Sequence, residues 1–403
     1  MRISASWTLF AAVLLCPVAT VAQTLPSEPI RMFDGRLVFT GEAVATVGEA
    51  DEQSYFNYTA YERNALRMVR LSLTGLWQPV ERVAFVAEMR SENFDQPGAY
   101  AAYVRVRPWR RHAFDIQAGR IPPVFGAFGR RSYASDRPLI GYPLAYQYLT
   151  SLRPDAAPLI ADDLLRMRGR GWRSSFPTGS PYAGPGVPLV SAFQWDTGAQ
   201  VRLLTARTET AVSITTGTLS NPRVSDDNDT RQLSARAAVR PSTGLLLGFS
   251  GARGGWLSHA VPTHDGYARY TQTSAGADAE YSRDHWLIRG EMVWSRWRLP
   301  FAAVPAEGES VDALATWVEG RYRISPRWYA AGRVDRLGFS RITSTVSGST
   351  PIPWEAPVRR LEAGGGYYIR RNLIARAAFQ WNRRDGGRVT RRHFLTAQVA
   401  YWF

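Results

Sequence analysis

The 403-residue chain contains no lysine, so all 49 of its basic residues are arginine. It has one cysteine, no run of about 18 apolar residues and no recognisable metal or nucleophile motif. Each absence removes a class of protein. A lone cysteine rules out a disulfide-stapled scaffold. Without a long apolar run no transmembrane helix is expected. The five histidines (His112, His259, His264, His285 and His393) form no His-x-x-x-His or His-Glu-x-x-His pair, and no Gly-x-Ser-x-Gly elbow occurs. Neither a metal site nor a local catalytic motif is therefore expected, and no cofactor. A hydrolase assembled from Ser and His on different strands stays open. Asp226-Asp-Asn-Asp229 could bind Ca²⁺, but it lacks the Gly and distal Glu of a calcium loop and reads better as solvated loop.

What is present is positive charge, with a formal net charge of +15. Arginine-only usage is explained most simply by a GC-rich genome. It still matters physically, because guanidinium stays charged and grips carboxylate or phosphate through two parallel hydrogen bonds. Such an excess suits nucleic acid, an anionic membrane surface or an anion-conducting pore. The N-terminus bears on that choice: Arg2, the apolar run 7–16 and small residues up to Ala22 form a secretory signal-peptide pattern. Cleavage after Ala22 is expected, ahead of lipid modification at Cys16, since Leu15 is large for that chemistry. The exported chain would carry 15 − 1 = +14 and no thiol, and nucleic acid is not an expected partner.

The C-terminal stretch alternates strictly. Leu395, Ala397, Val399, Tyr401 and Phe403 are apolar, while Thr396 and Gln398 lie opposite, as in a strand with one apolar face. Similar stretches occur at about 36–49, 66–78, 82–92, 99–108, 113–121, 192–206, 209–219, 231–240, 244–255, 267–282, 285–298, 310–323, 327–340, 358–369 and 372–383. Short turns alternate with long loops between them, the mark of a transmembrane barrel. The fold expected is an all-β antiparallel transmembrane barrel of about 16 strands. Arg105 and Arg107 share one face of their strand, opposite Val104 and Val106. An Arg facing mid-bilayer lipid costs about 2–4 kcal/mol, so these should face the lumen. So should Arg70, Arg90, Arg236, Arg289, Arg321, Arg323, Arg333 and Arg376, with Glu42, Glu88, Asp115, Glu291, Glu319, Asp335 and Glu362. Two readings fit them: paired charges that keep the wall wet and rigid, or a field that concentrates anions. Trp77, Trp109, Trp286 and Trp328 near short turns, and Trp256, Trp297 and Trp381 near long loops, suggest two aromatic girdles.

One stretch breaks the pattern. From about 121 to 188 the chain is rich in Pro, Gly, Tyr and Arg and far exceeds an ordinary loop of about 4–6 residues. The apolar stretch Leu139–Leu149 should pack against the wall or a neighbouring subunit, and 162–166 could form a helical turn.

Sixteen strands with a long insertion after the fifth resemble the trimeric general porins of Gram-negative outer membranes, and the terminal aromatic strand resembles their closing strand. The phrase Ala118-Gly-Arg-Ile-Pro-Pro-Val-Phe-Gly126 is similar to one found in phosphate-selective-type porins, with Val124 inserted and the lysine of phosphate channels missing. The resemblance implies residues 23–403 as one barrel, with 121–188 folded inward as a constriction. It implies an outer-membrane diffusion channel for small hydrophilic solutes, and the Arg excess adds an anion preference. Lipid and lipopolysaccharide would surround a homotrimer. The expected constriction residues are Arg130, Arg131, Arg137, Arg153, Arg166, Arg168 and Arg170, opposed by Asp155, Asp162 and Asp163, with Arg105 and Arg107 on the wall. An outer-membrane enzyme or adhesion barrel with a closed lumen is the alternative.

Overall fold

The computed structural model describes residues 25–51, 56–58, 64–109, 112–192, 195–263, 266–300, 310–348, 350–387, 389 and 391–403. The leader read at 1–22 lies outside them. Alternating side chains make each strand two-faced, and neighbouring strands pair antiparallel into one continuous sheet. Its strands are β1 Leu37–Gly48, β2 Met68–Val80, β3 Val83–Glu92, β4 Gly98–Val106, β5 Ala113–Ile121, β6 Asp196–Leu204, β7 Thr208–Thr215 and β8 Gln232–Ser242. The second half comprises β9 Leu245–Gly255, β10 Thr271–Arg283, β11 Trp286–Arg298, β12 Ser310–Arg323, β13 Trp328–Phe339, β14 Val358–Arg370, β15 Leu373–Arg384 and β16 His393–Trp402. β16 pairs with β1, from Glu42↔Trp402 to Gly48↔Thr396, and closes the sheet. Gly41 and Phe403 exchange backbone hydrogen bonds at 3.1 and 3.0 Å, so the terminal aromatic stands at the seam. A closed barrel leaves no unpaired strand edge, the condition for crossing lipid with strands.

A short strand, Ile30–Met32, hairpins onto the start of β1. It is absent from the sequence reading. Its turn places Phe33, Asp34 and Gly35 at φ of 52, 55 and 81°, and only the glycine advertises such a turn. Elsewhere the strand boundaries follow the apolar alternation closely; β6 begins at Asp196 rather than 192 and β7 ends at Thr215 rather than 219.

The outward face is apolar. Val212, Ile214, Leu233, Phe249, Val318, Val334, Leu395 and Val399 are each more than two-fifths exposed. At the short-turn end, rings meet in cross-strand pairs. Centroids lie 5.3 Å apart for Trp77 and Phe85, 4.7 Å for Trp286 and Tyr322 and 4.6 Å for Trp328 and Tyr367. Trp77, Trp286 and Trp328 are three of the four indoles expected at this girdle; the fourth, Trp109, lies 4.9 Å from Phe114, ring to ring. The expectation for the other end needs correction: Trp256 and Trp297 are 1% and 0% exposed. Trp297 shares the parity of Arg289 and Glu291 and points inward; Trp294 and Trp381, of opposite parity, are the outward indoles there.

Candidate functional site

The inward face of the barrel is a set of ion pairs. Arg70 binds Glu92 and Arg90 binds Glu88, at 2.8 and 2.9 Å. Arg107 holds Asp115 through two bonds of 2.8 and 3.0 Å. Arg202 binds Glu209 at 2.7 Å, and Arg236 pairs with Asp278. Arg289 binds Glu280 at 2.9 Å. Arg333, 1% exposed, meets three carboxylates: Glu319 at 3.2 Å, Asp335 at 2.9 Å and Glu362 at 2.6 Å. A buried charge persists only when paired and hydrogen-bonded. Several of these pairs follow the strand registers: Arg70 lies opposite Glu92, and Arg333 opposite both Glu319 and Glu362.

Onto this face packs the connection from Ile121 at the end of β5 to Asp196 at the start of β6. It contains two short α-helices, Leu144–Gln147 and Ala161–Arg166, and little other regular structure. Its backbone N–H and C=O groups therefore need partners from elsewhere, and the barrel wall supplies them. Ala127 N–H donates to Glu291 at 3.0 Å and Ser135 N–H to Glu42 at 3.0 Å. Gly141 N–H donates to Glu362 at 2.8 Å and Leu144 N–H to Asp335 at 3.2 Å. In return, Arg333 donates to the Gly141 carbonyl at 3.1 Å, Arg360 to that of Tyr142 at 3.0 Å and Tyr329 to that of Pro138 at 2.8 Å. The phenols add to this: Tyr146 donates to Glu291 at 2.7 Å, Tyr133 donates to Glu88, and Tyr142 accepts from Arg70 at 2.7 Å. The apolar residues of the segment pack with the wall in one core, where Phe128 lies 4.8 Å from Tyr146 and 6.1 Å from Trp317, ring to ring.

The outer loops hold the same segment from the other side. Glu355 in the β13–β14 connection accepts from Ser151 N–H at 2.8 Å and Gly169 N–H at 2.6 Å. Its burial pushes the carboxyl above the usual range, against those bonds. Phe56 and Asn57, in the β1–β2 connection, also reach the inner wall. The Phe56 carbonyl accepts from Arg360 at 2.7 Å, and the Asn57 amide donates to Gln380 at 3.0 Å.

The arginines expected at the site fall into three groups. Arg105 lies on the inward face of β4, with Arg107 just beyond its end near the short turns. Arg131 pairs with Glu280 of β10; Arg137, 5% exposed, donates to the Ile140 carbonyl at 3.0 Å and lies over the Tyr142 ring at 4.0 Å. Arg130 lies in the short 3-10 turn Gly129–Arg131, and its side chain is outside the described residues. Arg153 is folded within the segment, held by Asp155 and the carbonyls of Ser174 and Tyr182.

Asp162 and Arg168 meet the outer loops instead, while Asp163 accepts from Leu159 and Ile160 N–H of its own segment at 3.1 and 3.3 Å. Asp162 accepts from Thr345 N–H at 2.9 Å, and Arg168 donates to the Asp385 carbonyl at 2.8 Å. Arg166 is exposed and 3.6 Å from Asp163, and Arg170 is exposed. Several inner partners escaped the sequence reading: Asp278 and Glu280, which share the parity of Gln272 and Ser274, and Arg360, which shares that of Glu362. Parity would have found these. Nothing local marks Tyr133, Tyr142 and Tyr146 as partners of the wall.

No protein-family model and no curated protein matches this sequence. Solved structures do. An anion-selective porin from Comamonas acidovorans superposes with a TM-score of 0.55 at 8% identity, covering 91% of this chain and 99% of that one. OmpF of Salmonella typhi, in complex with daunomycin, gives 0.54 at 12% identity, covering 93% and 100%. OmpT of Vibrio cholerae, an outer membrane protein in trimer form, gives 0.55 at 9% identity over 91% and 99%. At these identities the likeness is one of fold: the chain is a 16-stranded barrel of the Gram-negative outer-membrane porin fold.

Proposed function

We propose that the protein is a passive outer-membrane channel, not an enzyme, through which small hydrophilic solutes diffuse past a constriction made by the β5–β6 segment. One observation carries this reading: an irregular segment is held inside a charged, closed barrel by hydrogen bonds to wall residues on β1, β11, β13 and β14. Irregular backbone at membrane depth is stable only when buried in protein or lining water, and this one does both jobs if a path remains beside it. In this reading Arg105 and Arg107 line the short-turn mouth, Arg131 and Arg137 stand at the narrowest level, and Arg166, Arg168 and Arg170 face the outer mouth. The porin fold of its neighbours supports an outer-membrane setting, and the trimer form of one supports a homotrimer.

An anion preference rests on the inward charges alone. Arg105, Arg137, Arg321 and Arg376 face no carboxylate among the described ion pairs, and Arg131 and Arg289 share Glu280. Against them, Glu42 and Glu291 accept only neutral donors, and Arg333 answers three carboxylates with one charge. The inward excess is therefore small and far below the net charge, and Arg253, Arg336 and Arg359 face outward.

A second reading has its own support. Arg333, Arg360, Glu362, Gln380 and Asn382 are each at most 1% exposed, so that side of the lumen is filled, and a barrel filled throughout would not conduct. Proteoliposome swelling separates the two. The channel reading predicts swelling rates that fall steeply with sugar size; a rate equal to protein-free liposomes for every sugar would sink it.

A further inference from the structure

The outward face at the long-loop end carries a feature that diffusion through the lumen does not require. Arg336 on β13 lies opposite Arg359 on β14, and Arg359 lies opposite Arg383 on β15. All three side chains are exposed and share the outward parity. Residues directly opposite on neighbouring antiparallel strands have Cβ atoms about 4.5–5.5 Å apart, and like charges in that relation repel. Three guanidinium groups in one row do so twice. Asp385 gives Arg383 partial relief at 3.4 Å, with both groups more than half exposed. Among the described residues no carboxylate pairs with Arg336 or Arg359. Asp312, outward on β12, is already taken by Arg296 through bonds of 2.6 and 2.9 Å.

One pleat toward the membrane centre, about 7 Å away, the same three strands present Val334, Leu361 and Trp381, again mutually opposite. These are 60, 47 and 38% exposed. A cationic row thus stands directly above an apolar one. That order matches a lipid whose headgroup is anionic and whose acyl chains run down the barrel. Guanidinium binds phosphate oxygens through paired hydrogen bonds, which a row of three can do from several sides.

We infer that Arg336, Arg359 and Arg383 form a binding site for the phosphate groups of a lipopolysaccharide molecule in the outer leaflet, with its acyl chains along Val334, Leu361 and Trp381. This rests on the outer-membrane setting, with the long loops outward, but not on conduction. The bound phosphates would neutralise the row and fix the height of the barrel in the bilayer.

The test uses the full-length barrel purified in detergent, stripped of lipid and incubated with purified lipopolysaccharide, with retained lipid read by native mass spectrometry. R336Q/R359Q/R383Q should lower retention at least tenfold, whereas R336K/R359K/R383K should retain most of it. Dephosphorylated lipopolysaccharide and phosphatidylglycerol should both bind the unaltered protein about as weakly as lipopolysaccharide binds the Gln variant. Equal retention by the Gln variant would overturn the site. Equal binding of the dephosphorylated lipid would overturn phosphate recognition, and equal binding of phosphatidylglycerol would overturn the glycolipid assignment. Heat-modifiable migration checks folding; should the triple variant not fold, R359Q alone removes the central cation and should lower retention at least threefold. Conductance of the Gln variant should match the unaltered protein. A barrel that binds this lipid yet never conducts would sink the channel and leave the site standing.

Discussion

Gly141 presses its backbone against Glu362: its N–H donates to that carboxylate at 2.8 Å, and a Cβ at this position would overlap both Glu362 and Gln380. Neither side chain is free to yield. Gln380 donates to Glu362 at 3.1 Å and accepts from Asn57 at 3.0 Å. The β5–β6 segment therefore touches the wall here with no room for a methyl group.

Gly141→Ala should cost about 1–3 kcal/mol, the range for overpacking a filled interior. The temperature at which the compact gel band disappears should fall accordingly. An unchanged transition would mean that the segment does not press on the wall at this point.

Replacing Arg333 tests the pairing rather than the packing. Arg333→Met leaves Glu319, Asp335 and Glu362 buried without their common cation. Breaking a buried pair in this way costs about 3–5 kcal/mol, enough to depress the yield of folded barrel on refolding into detergent. Arg333→Lys keeps the charge but replaces the wide planar fork by one compact ammonium, so its yield should lie between the two.

The outward face can be tested at the middle of β12. Val318 is 59% exposed and lies opposite Gly290 and Val334. Val318→Arg should cost about 2–4 kcal/mol in a bilayer, measured by urea unfolding from lipid vesicles. A cost near zero would place this residue away from lipid.

Asp51, in the β1–β2 connection, supplies a pH dependence. Its burial pushes the carboxyl up to about 7, against hydrogen bonds from Asn57. An acid whose folded pKa is raised holds its proton more tightly in the folded state. Its contribution is full below the unfolded value near 3.8 and is lost as pH rises toward about 7. Asp51→Asn should therefore flatten the fall in stability between about pH 4 and 7, as read from the unfolding transition of the two proteins in parallel.

The barrel was legible because lipid imposes a period of two on every strand, and the alternation of Leu395 to Phe403 or Ala235 to Val239 survives without any alignment. Turn length carried the topology. The inner site was legible only in part. Parity marks which charges face inward, so Arg105, Arg236 and Arg333 follow from sequence. Parity says nothing about an irregular segment, and seven arginines between 130 and 170 look alike there. Their fates diverge for reasons of long-range packing: Arg131 meets Glu280, Arg153 closes on Asp155, and Arg168 reaches Asp385. Trp256 and Trp297 lie near long loops, but nearness to a loop does not set the face of a strand residue; parity does, and that of Trp297 is inward.

The most direct test of the channel is single-channel recording in a planar bilayer under a tenfold potassium chloride gradient. Stable conductance steps with a reversal potential of anionic sign are the predicted result. No steps from folded protein would contradict conduction, and a reversal potential of cationic sign would contradict the role given to the inward arginines.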